Sequence, residues 1–553
     1  MTNTRWSYVS GTSDKPLLGI TIGDLFDQTV AQFPDNEALV SRHQNLRLTY
    51  RELQQQVNQC ARGLIKLGLQ KGERLGIWSP NNAEWTITQF ATSKLGIILV
   101  NLNPNYRTHE LEYALQQSGC RAVIVSAPFK TSDYPAMLAE VAPKLPDLQF
   151  IIGLGTEHSF QRWDELLALG DDISDDELAA RQAVLQFDDP INIQYTSGTT
   201  GRPKGATLSH HNILNNGYFT AELMRFTDQD RLVIPVPLYH CFGMVMGNLG
   251  CVTHGATMIY PSPVFDPQAV LEAVEVERAT ALYGVPTMFI AELSHPNFAK
   301  YDLTSLRTGV MAGAPCPIEV MKKVNTAMHM REVEICYGMT ETSPVSFQTR
   351  ADAPFDKRVS TVGEIHPHVE VKIIDPHTNQ IVPIGAKGEL CTRGYSVMLG
   401  YWNNEEATRT SIDAARWMHT GDLAVMDDAG YVNIVGRIKD LIIRGGENIY
   451  PREIEEFLYT HPHIVDAQVI GVPDHKYGEE VMAWINLREG ETLTAEEVQA
   501  FCRGKIAHHK IPRYVKFVEA FPMTVTGKIQ KFVMREESVK ELGLEDARAI
   551  KMA

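Results

Sequence analysis

Apolar and polar positions over the first 150 residues switch repeatedly between helical and extended patterns. Thr49-Tyr-Arg-Glu52 has the form of a capping box, and Gly68 supplies a stop, which predicts a helix over 49–68. The apolar run Arg74-Leu-Gly-Ile-Trp-Ser79 predicts a buried strand. A helix over 83–94, a strand over 97–100, a helix from Thr108 and a strand over 121–126 continue the series. Strand, helix, strand in short succession implies parallel sheet covered by helices. The rhythm returns between Leu232 and Arg307, with strands over 256–260 and 279–283. From Gly363 to Val435 short strands between turns (369–374, 388–392, 431–435) predict a small β-rich unit.

Past Arg437 the pattern changes again. Pro451-Arg-Glu-Ile-Glu-Glu-Phe-Leu opens a helix, with Pro in the first turn and carboxylates where the helix dipole favours them. Strands over 465–472 and 481–487 and a helix over 494–506 complete a compact α+β unit. The expected class is therefore α/β: a large N-terminal domain of two helix-covered sheets plus a β-rich subdomain, residues 1–436, and a smaller α+β domain, residues 437–553. No internal repeat is visible.

A length of 553 residues exceeds one core and suggests three or four domain-sized units. Hydrophobic content of 44% and charged content of 21% are ordinary for a globular protein. The net charge of −16 argues against nucleic acid as a partner, since phosphate neutralisation needs clustered cations. The eight cysteines are scattered and form no C-x-x-C pair. They read as free thiols in apolar surroundings, with a reactive or zinc-binding thiol as the alternative. A reducing, cytoplasmic setting is expected. The N-terminus has no apolar leader pattern, and the longest apolar stretch, 241–252, is interrupted by Asn248 and too short to span a bilayer.

The most informative stretch is Ile191-Asn-Ile-Gln-Tyr-Thr-Ser-Gly-Thr-Thr-Gly-Arg-Pro-Lys-Gly205. An apolar strand leads into hydroxyls on Thr196, Ser197, Thr199 and Thr200. Gly198, Gly201 and Gly205 let backbone N–H groups approach an anion, and Lys204 adds a full positive charge. A polyphosphate cradle needs this combination; a surface loop is the plainer reading. The stretch fails the Walker A template, because Lys204 is followed by Gly205.

Thr196-Ser-Gly-Thr-Thr-Gly-Arg-Pro-Lys-Gly205 resembles the AMP-binding signature of the adenylate-forming superfamily, which includes acyl-CoA synthetases, peptide-synthetase adenylation domains and beetle luciferases. The resemblance runs from about Leu25 to about Lys531, and Gly205-Ala-Thr-Leu-Ser-His210 is similar to the medium-chain fatty acyl-CoA synthetase branch. Tyr337-Gly-Met-Thr-Glu341 resembles the adenine and magnesium block. It implies that Tyr337 stacks on adenine beside Gly338, that Thr340 meets the α-phosphate, and that Glu341, with Thr196, ligates Mg²⁺. Gly313-Ala314-Pro315 resembles the segment on the other adenine face. Thr420-Gly-Asp422 matches the ribose block, where an ionised carboxylate accepts two hydrogen bonds from a vicinal diol. In Gly436-Arg-Ile-Lys-Asp-Leu-Ile-Ile-Arg-Gly-Gly-Glu-Asn448 the resemblance makes Arg437 a second ribose contact, Lys439 a hinge, and Gly445, Gly446 and Glu447 a border of the pantetheine path. Pro522-Met-Thr-Val-Thr-Gly-Lys528 matches the last block and implies that Lys528 bridges the acyl carboxylate and the α-phosphate. Pro237-Leu-Tyr-His-Cys-Phe-Gly243 resembles the acyl-gate block. His240 would lie beside the carboxylate, with Phe242, Gly243, Val285 and Met339 as pocket walls; ordinary core is the rival reading.

The resemblance thus implies an ATP-dependent acid–CoA ligase acting through an acyl adenylate, with ATP, CoA and Mg²⁺, a hydrophobic monocarboxylic acid, a swinging C-terminal domain, no integral membrane association, and a homodimer as one possible assembly. A carrier-protein-loading adenylation enzyme, an aryl acid–CoA ligase, a luciferase-like oxygenase and a non-catalytic binding protein are the rivals. The last would be expected to have lost Glu341, Asp422 or Lys528, and all three are present.

Overall fold

The computed structural model describes residues 5–155, 160–196, 203–314, 316–445, 447–523 and 529–546. The chain divides into two compact units. One comprises Val9–Val371 and Thr392–Met418; the other comprises Met1–Tyr8, Lys372–Cys391 and His419–Ala553.

The larger unit is built on two sheets. In the first, strands Pro190–Thr196, Ile98–Asn101, Arg74–Trp78, Cys120–Val125, Phe150–Gly153 and Gln161–Arg162 are mutually parallel. Strands Lys204–Ser209 and Gly400–Tyr401 add antiparallel pairs at one edge. The second sheet has nine strands, parallel from Glu332–Gly338 to Glu37–Ser41 and antiparallel at both edges. Helices cover the parallel strands, as the apolar runs of the sequence require on both faces.

The helix starts follow the local chemistry. Tyr50–Lys66 carries the expected Thr49/Glu52 capping box, and Gly68 takes φ +81 just past its end. Ala83–Leu95 is capped by Asn82 and stopped by Gly96 at φ +67. It buries nearly its whole circumference, including Lys94, whose ammonium meets Asp27 Oδ1 at 2.5 Å. Without that partner the buried charge would carry a large desolvation cost. The apolar stretch at 241–252 forms a π-helix, Phe242–Leu249, continued by Gly250–Val252. Asn248, which breaks the apolar run, is buried and hydrogen-bonded to Thr86, Gln89 and Tyr260. Among the described residues no helix is long and apolar enough to cross a membrane.

Two further sheets follow. One has the order Tyr8–Ser10, Val369–Ile374, Gly388–Gly394, Met418–Met426, Val432–Arg437. The other joins Glu447–Ile449, Ile442–Arg444, Gly478–Leu487, Ile464–Asp474 and Tyr514–Phe517. Helix Pro451–Leu458 has Pro at its first position, as expected, and buries Ile454 and Leu458. The helix predicted over 494–506 is shorter, Ala495–Cys502, because the chain turns out of helical conformation at Arg503 and Gly504 takes φ +73.

Asp230 anchors the strand ends of the nine-stranded sheet. It is buried, and it accepts Thr227 N at 2.9 Å, Thr280 Oγ1 at 2.7 Å and Arg307 Nη2 at 2.8 Å. Asp230→Ala leaves all three donors without their acceptor. The expected loss is about 3 kcal/mol of unfolding free energy, seen in calorimetry as a lower first transition; an unchanged transition contradicts the anchoring role.

Candidate active site

In the larger unit the phosphate-loop strand returns on itself. Thr196 pairs with Lys204 across antiparallel strands, and Thr196 Oγ1 donates to the Lys204 carbonyl at 3.4 Å. The residues of the turn itself, among them Ser197, Gly198, Thr199 and Thr200, lie outside the described residues, as do Pro315, Gly446 and Lys528. The Lys204 ammonium stands 4.8 Å from the centroid of the Tyr401 ring. A cation over an aromatic face is held without neutralising it, so its charge remains available to an anion.

Tyr401 was not anticipated. Its hydroxyl donates to Glu341 Oε1 at 2.8 Å. Burial, and next the Glu341 charge, push the phenol above its usual range, so it stays a neutral donor at physiological pH. The Glu341 carbonyl also accepts Met398 N at 2.9 Å, and Ser343 Oγ donates to the Ser396 carbonyl at 2.6 Å. Residues 396–401 therefore brace the Tyr337-Gly-Met-Thr-Glu341 turn. The local sequence around Tyr401 offers only an aromatic pair after Gly400, which is why it was missed.

The same turn requires its glycine. A Cβ on Gly338 would lie 1.7 Å from the Pro344 carbonyl oxygen, so no other residue fits without displacing the backbone. Tyr337 and Gly338, at the strand end, are half-buried and exposed, whereas Thr340 and Glu341 are buried. Thr340 Oγ1 is 3.9 Å from Cys241 Sγ, and that sulfur is 3.6 Å from His240 Nδ1. Burial pushes the Cys241 thiol up to about 12, which keeps it protonated and poorly reactive. His240 Nδ1 accepts the Phe242 backbone N–H at 3.2 Å; this fixes the tautomer with its proton on Nε2. The structure thus places Lys204, Glu341, Thr340 and His240 along one chain of contacts through Tyr401 and Cys241.

The expected acyl-wall residues fall in one apolar cluster. The Phe242 ring lies tilted by 34° against that of Tyr283 with centroids 5.3 Å apart, and both are buried with Val285, while Met339 packs against the same core. Gly243 faces the Pro237 carbonyl so closely that a Cβ would sit 2.4 Å from the oxygen. Gly313 takes φ +88, with Val285 Cγ1 3.2 Å from where its Cβ would be; Ala314 beside it is half-buried.

In the smaller unit Asp422 and Arg437 pair across two antiparallel strands, with Arg437 Nε 2.8 Å from Asp422 Oδ1. Asp422 is buried, and its N–H donates to Thr420 Oγ1 at 3.1 Å, while Thr420 Oγ1 donates to the Leu390 carbonyl at 2.7 Å. Gly421 between them takes φ +70, a conformation that suits glycine. Its N–H donates to Glu389 Oε1 at 3.1 Å, so a second carboxylate, also not anticipated, holds the turn. Lys439 lies in the short turn Ile438–Asp440 and is exposed, as are Gly445 and Glu447.

Comparison with known proteins accounts for this arrangement. The chain matches the AMP-binding enzyme family over residues 26–402 and the AMP-binding enzyme C-terminal domain over residues 453–528. It is 49% identical over 555 residues to the mitochondrial medium-chain acyl-CoA ligase ACSF2 of Danio rerio, covering 97% of this chain and 91% of that protein. Its fold is similar to the anthranilate CoA ligase AuaEII in complex with anthranoyl-AMP (TM-score 0.85, 26% identity, 96% of this chain and 99% of that one). It is similar also to ATP-bound MatB from Rhodopseudomonas palustris (TM-score 0.83, 31% identity, 94% and 99%). A buried, braced carboxylate at the end of a parallel strand and a cation beside the returning loop strand are thus found in a chain that belongs to the AMP-binding enzyme family, as an adenylate-forming acyl-CoA synthetase.

Proposed function

We propose that this chain is an ATP-dependent, AMP-forming acyl-CoA synthetase whose acid is hydrophobic, of medium to long chain. The observation that carries the substrate reading is the apolar cluster of Phe242, Tyr283, Val285 and Met339 beside His240. A second charge on the substrate would be left there without a partner. The name of the Danio rerio relative, a medium-chain acyl-CoA ligase, supports the same reading.

In the first half-reaction a carboxylate oxygen attacks the α-phosphorus of ATP and pyrophosphate leaves. In the second, the CoA sulfur attacks the acyl carbonyl carbon, its proton passes to solvent, and AMP leaves. Two anions meet in the first step, so the protein's contribution is alignment and charge neutralisation. Lys204 and the N–H groups of the loop strand receive phosphate oxygens. Thr340 takes the α-phosphate, Tyr337 and the Gly313-Ala314 segment flank the adenine, and Asp422 with Arg437 holds the ribose. His240, donating through Nε2–H, orients the acid. Lys528 bridges the reacting anions, Lys439 is the hinge, and Gly445-Gly446-Glu447 lies along the pantetheine path.

The donor set at Glu341 suits a hard cation. The carboxylate is buried and Tyr401 engages one of its oxygens, an oxygen ligand of the kind Mg²⁺ takes, and the hydroxyl of Thr196 is the second ligand that the family resemblance suggests. Bound there, the ion would supply charge neutralisation on the phosphates.

The assay that decides the substrate measures pyrophosphate release across C2 to C18, dicarboxylic and aromatic acids, with and without CoA. Octanoate or longer acids should give the highest kcat/KM, and acyl-CoA should form only with CoA present. A preference for acetate, malonate or benzoate overturns the hydrophobic-chain reading. Tyr401→Phe keeps the ring under Lys204 and removes only the hydroxyl on Glu341. It should cost about 1–2 kcal/mol, roughly 5- to 30-fold in adenylation, with a weaker apparent affinity for Mg²⁺; unaltered Mg²⁺ dependence contradicts its bracing role. Lys528→Ala should slow adenylation by about 10²–10³-fold and leave thioester formation from supplied acyl-AMP largely intact. Equal damage to both half-reactions assigns Lys528 elsewhere.

A further inference from the structure

Beside the Thr420-Gly421-Asp422 turn, which Glu389 holds through one oxygen, lies a cluster of three side chains able to ligate a metal. Glu389 and Cys391 are two residues apart on strand Gly388–Gly394, so both leave the same face of the sheet. His419 comes from the neighbouring strand Met418–Met426. One donor atom from each residue lies within 4.8 Å of the other two, the one such trio among the described residues. His419 Nδ1 is 3.0 Å from Glu389 Oε2 and 3.6 Å from Cys391 Sγ. Glu389 and Cys391 are buried, whereas a quarter of the His419 side chain (25%) is exposed, which gives the cluster a route to solvent.

A hydrogen-bonded His–carboxylate pair accounts for the first distance. A weak hydrogen bond between the thiol and the imidazole accounts for the second. A tetrahedral zinc site accounts for both. With bonds of about 2.3 Å to sulfur and about 2.0 Å to nitrogen and oxygen, its edges are about 3.5 Å for S···N and about 3.3 Å for N···O. The observed 3.6 Å meets the first, and the observed 3.0 Å needs the carboxylate to give way by a few tenths of an ångström. Sulfur, imidazole and carboxylate together select a borderline-soft divalent ion over Mg²⁺ or Ca²⁺.

We propose that Glu389, Cys391 and His419 form a binding site for a zinc-class divalent cation, with the fourth coordination position open to solvent. On uptake three coordinate bonds form, the Cys391 thiol proton passes to solvent, and the ring proton of His419 moves to Nε2, away from the metal. The site is linked to the neighbouring turn through one residue. Glu389 binds the ion through Oε2 and holds the Gly421 N–H through Oε1, so an ion that draws on the carboxylate loosens the turn that carries Asp422. That coupling rests on the ribose role proposed for Asp422; the binding itself does not.

The test uses the full-length protein freed of metal by chelation, with Co²⁺ as the optical probe. One equivalent should produce a sulfur-to-cobalt charge-transfer band in the near ultraviolet, and Zn²⁺ should displace it. Cys391→Ser should abolish the band while keeping the circular dichroism of the parent and its activity measured with Mg²⁺ and without Co²⁺ or Zn²⁺. His419→Gln should weaken Co²⁺ binding at least about tenfold, which keeps the test open if the serine variant fails to fold. Absence of the band, or its persistence in Cys391→Ser, overturns the site. In the activity arm, Zn²⁺ should raise KM for ATP in the parent and not in Cys391→Ser; an equal rise in both overturns the coupling to Asp422 without touching the binding result.

Discussion

The hydrogen bond from Tyr401 to Glu341 is the constraint on which the larger unit's site depends. A carboxylate with 5% of its surface exposed needs donors around it, and the phenolic hydroxyl of Tyr401 at 2.8 Å supplies one to Oε1. The same ring lies under the Lys204 ammonium, so a single side chain fixes a cation and an anion drawn from segments more than a hundred residues apart. Tyr401 is itself held by antiparallel pairing of Gly400–Tyr401 with strand Lys204–Ser209. Position at the site is therefore set by sheet register, and a slip of one residue would turn the hydroxyl to the opposite face.

Register serves the smaller unit in the same way. Asp422 and Arg437 are cross-strand partners, so their 2.8 Å contact follows from the pairing of Met418–Met426 with Val432–Arg437. Gly421 supplies the one backbone conformation that lets the chain present Asp422 while its own N–H reaches Glu389. Each unit thus holds its charged groups on strand ends and tight turns, where the backbone is rigid and few rotamers have to be frozen.

The sequence by itself determined a good deal. Caps and stops at Thr49, Gly68, Asn82 and Gly96 act through hydrogen bonds and φ values a few residues away, so the helices they bound were legible within a residue or two. The ordered blocks at Thr196, Tyr337, Thr420 and Gly436 were legible as an adenylate-forming chain through their resemblance to that superfamily's signatures, which the family match bears out. The end of the last predicted helix was misjudged by a few residues, because the turn at Arg503 and Gly504 outweighed an apolar pattern that ran on to Ile506.

Only the tertiary structure decided which residues outside those blocks support them. Tyr401 follows the turn it braces by sixty positions, and Glu389 precedes Gly421 by thirty-two, so neither leaves a mark in any short window. The convergence of Glu389, Cys391 and His419 is of the same kind: three unremarkable residues on two strands whose spacing is set by cross-strand register. Local chemistry is written in neighbouring residues because capping, turn formation and phosphate binding act over a few ångströms of adjacent chain. Support of a buried charge is written in sheet pairing, which brings together positions with no sequence relation, and folding alone reveals it.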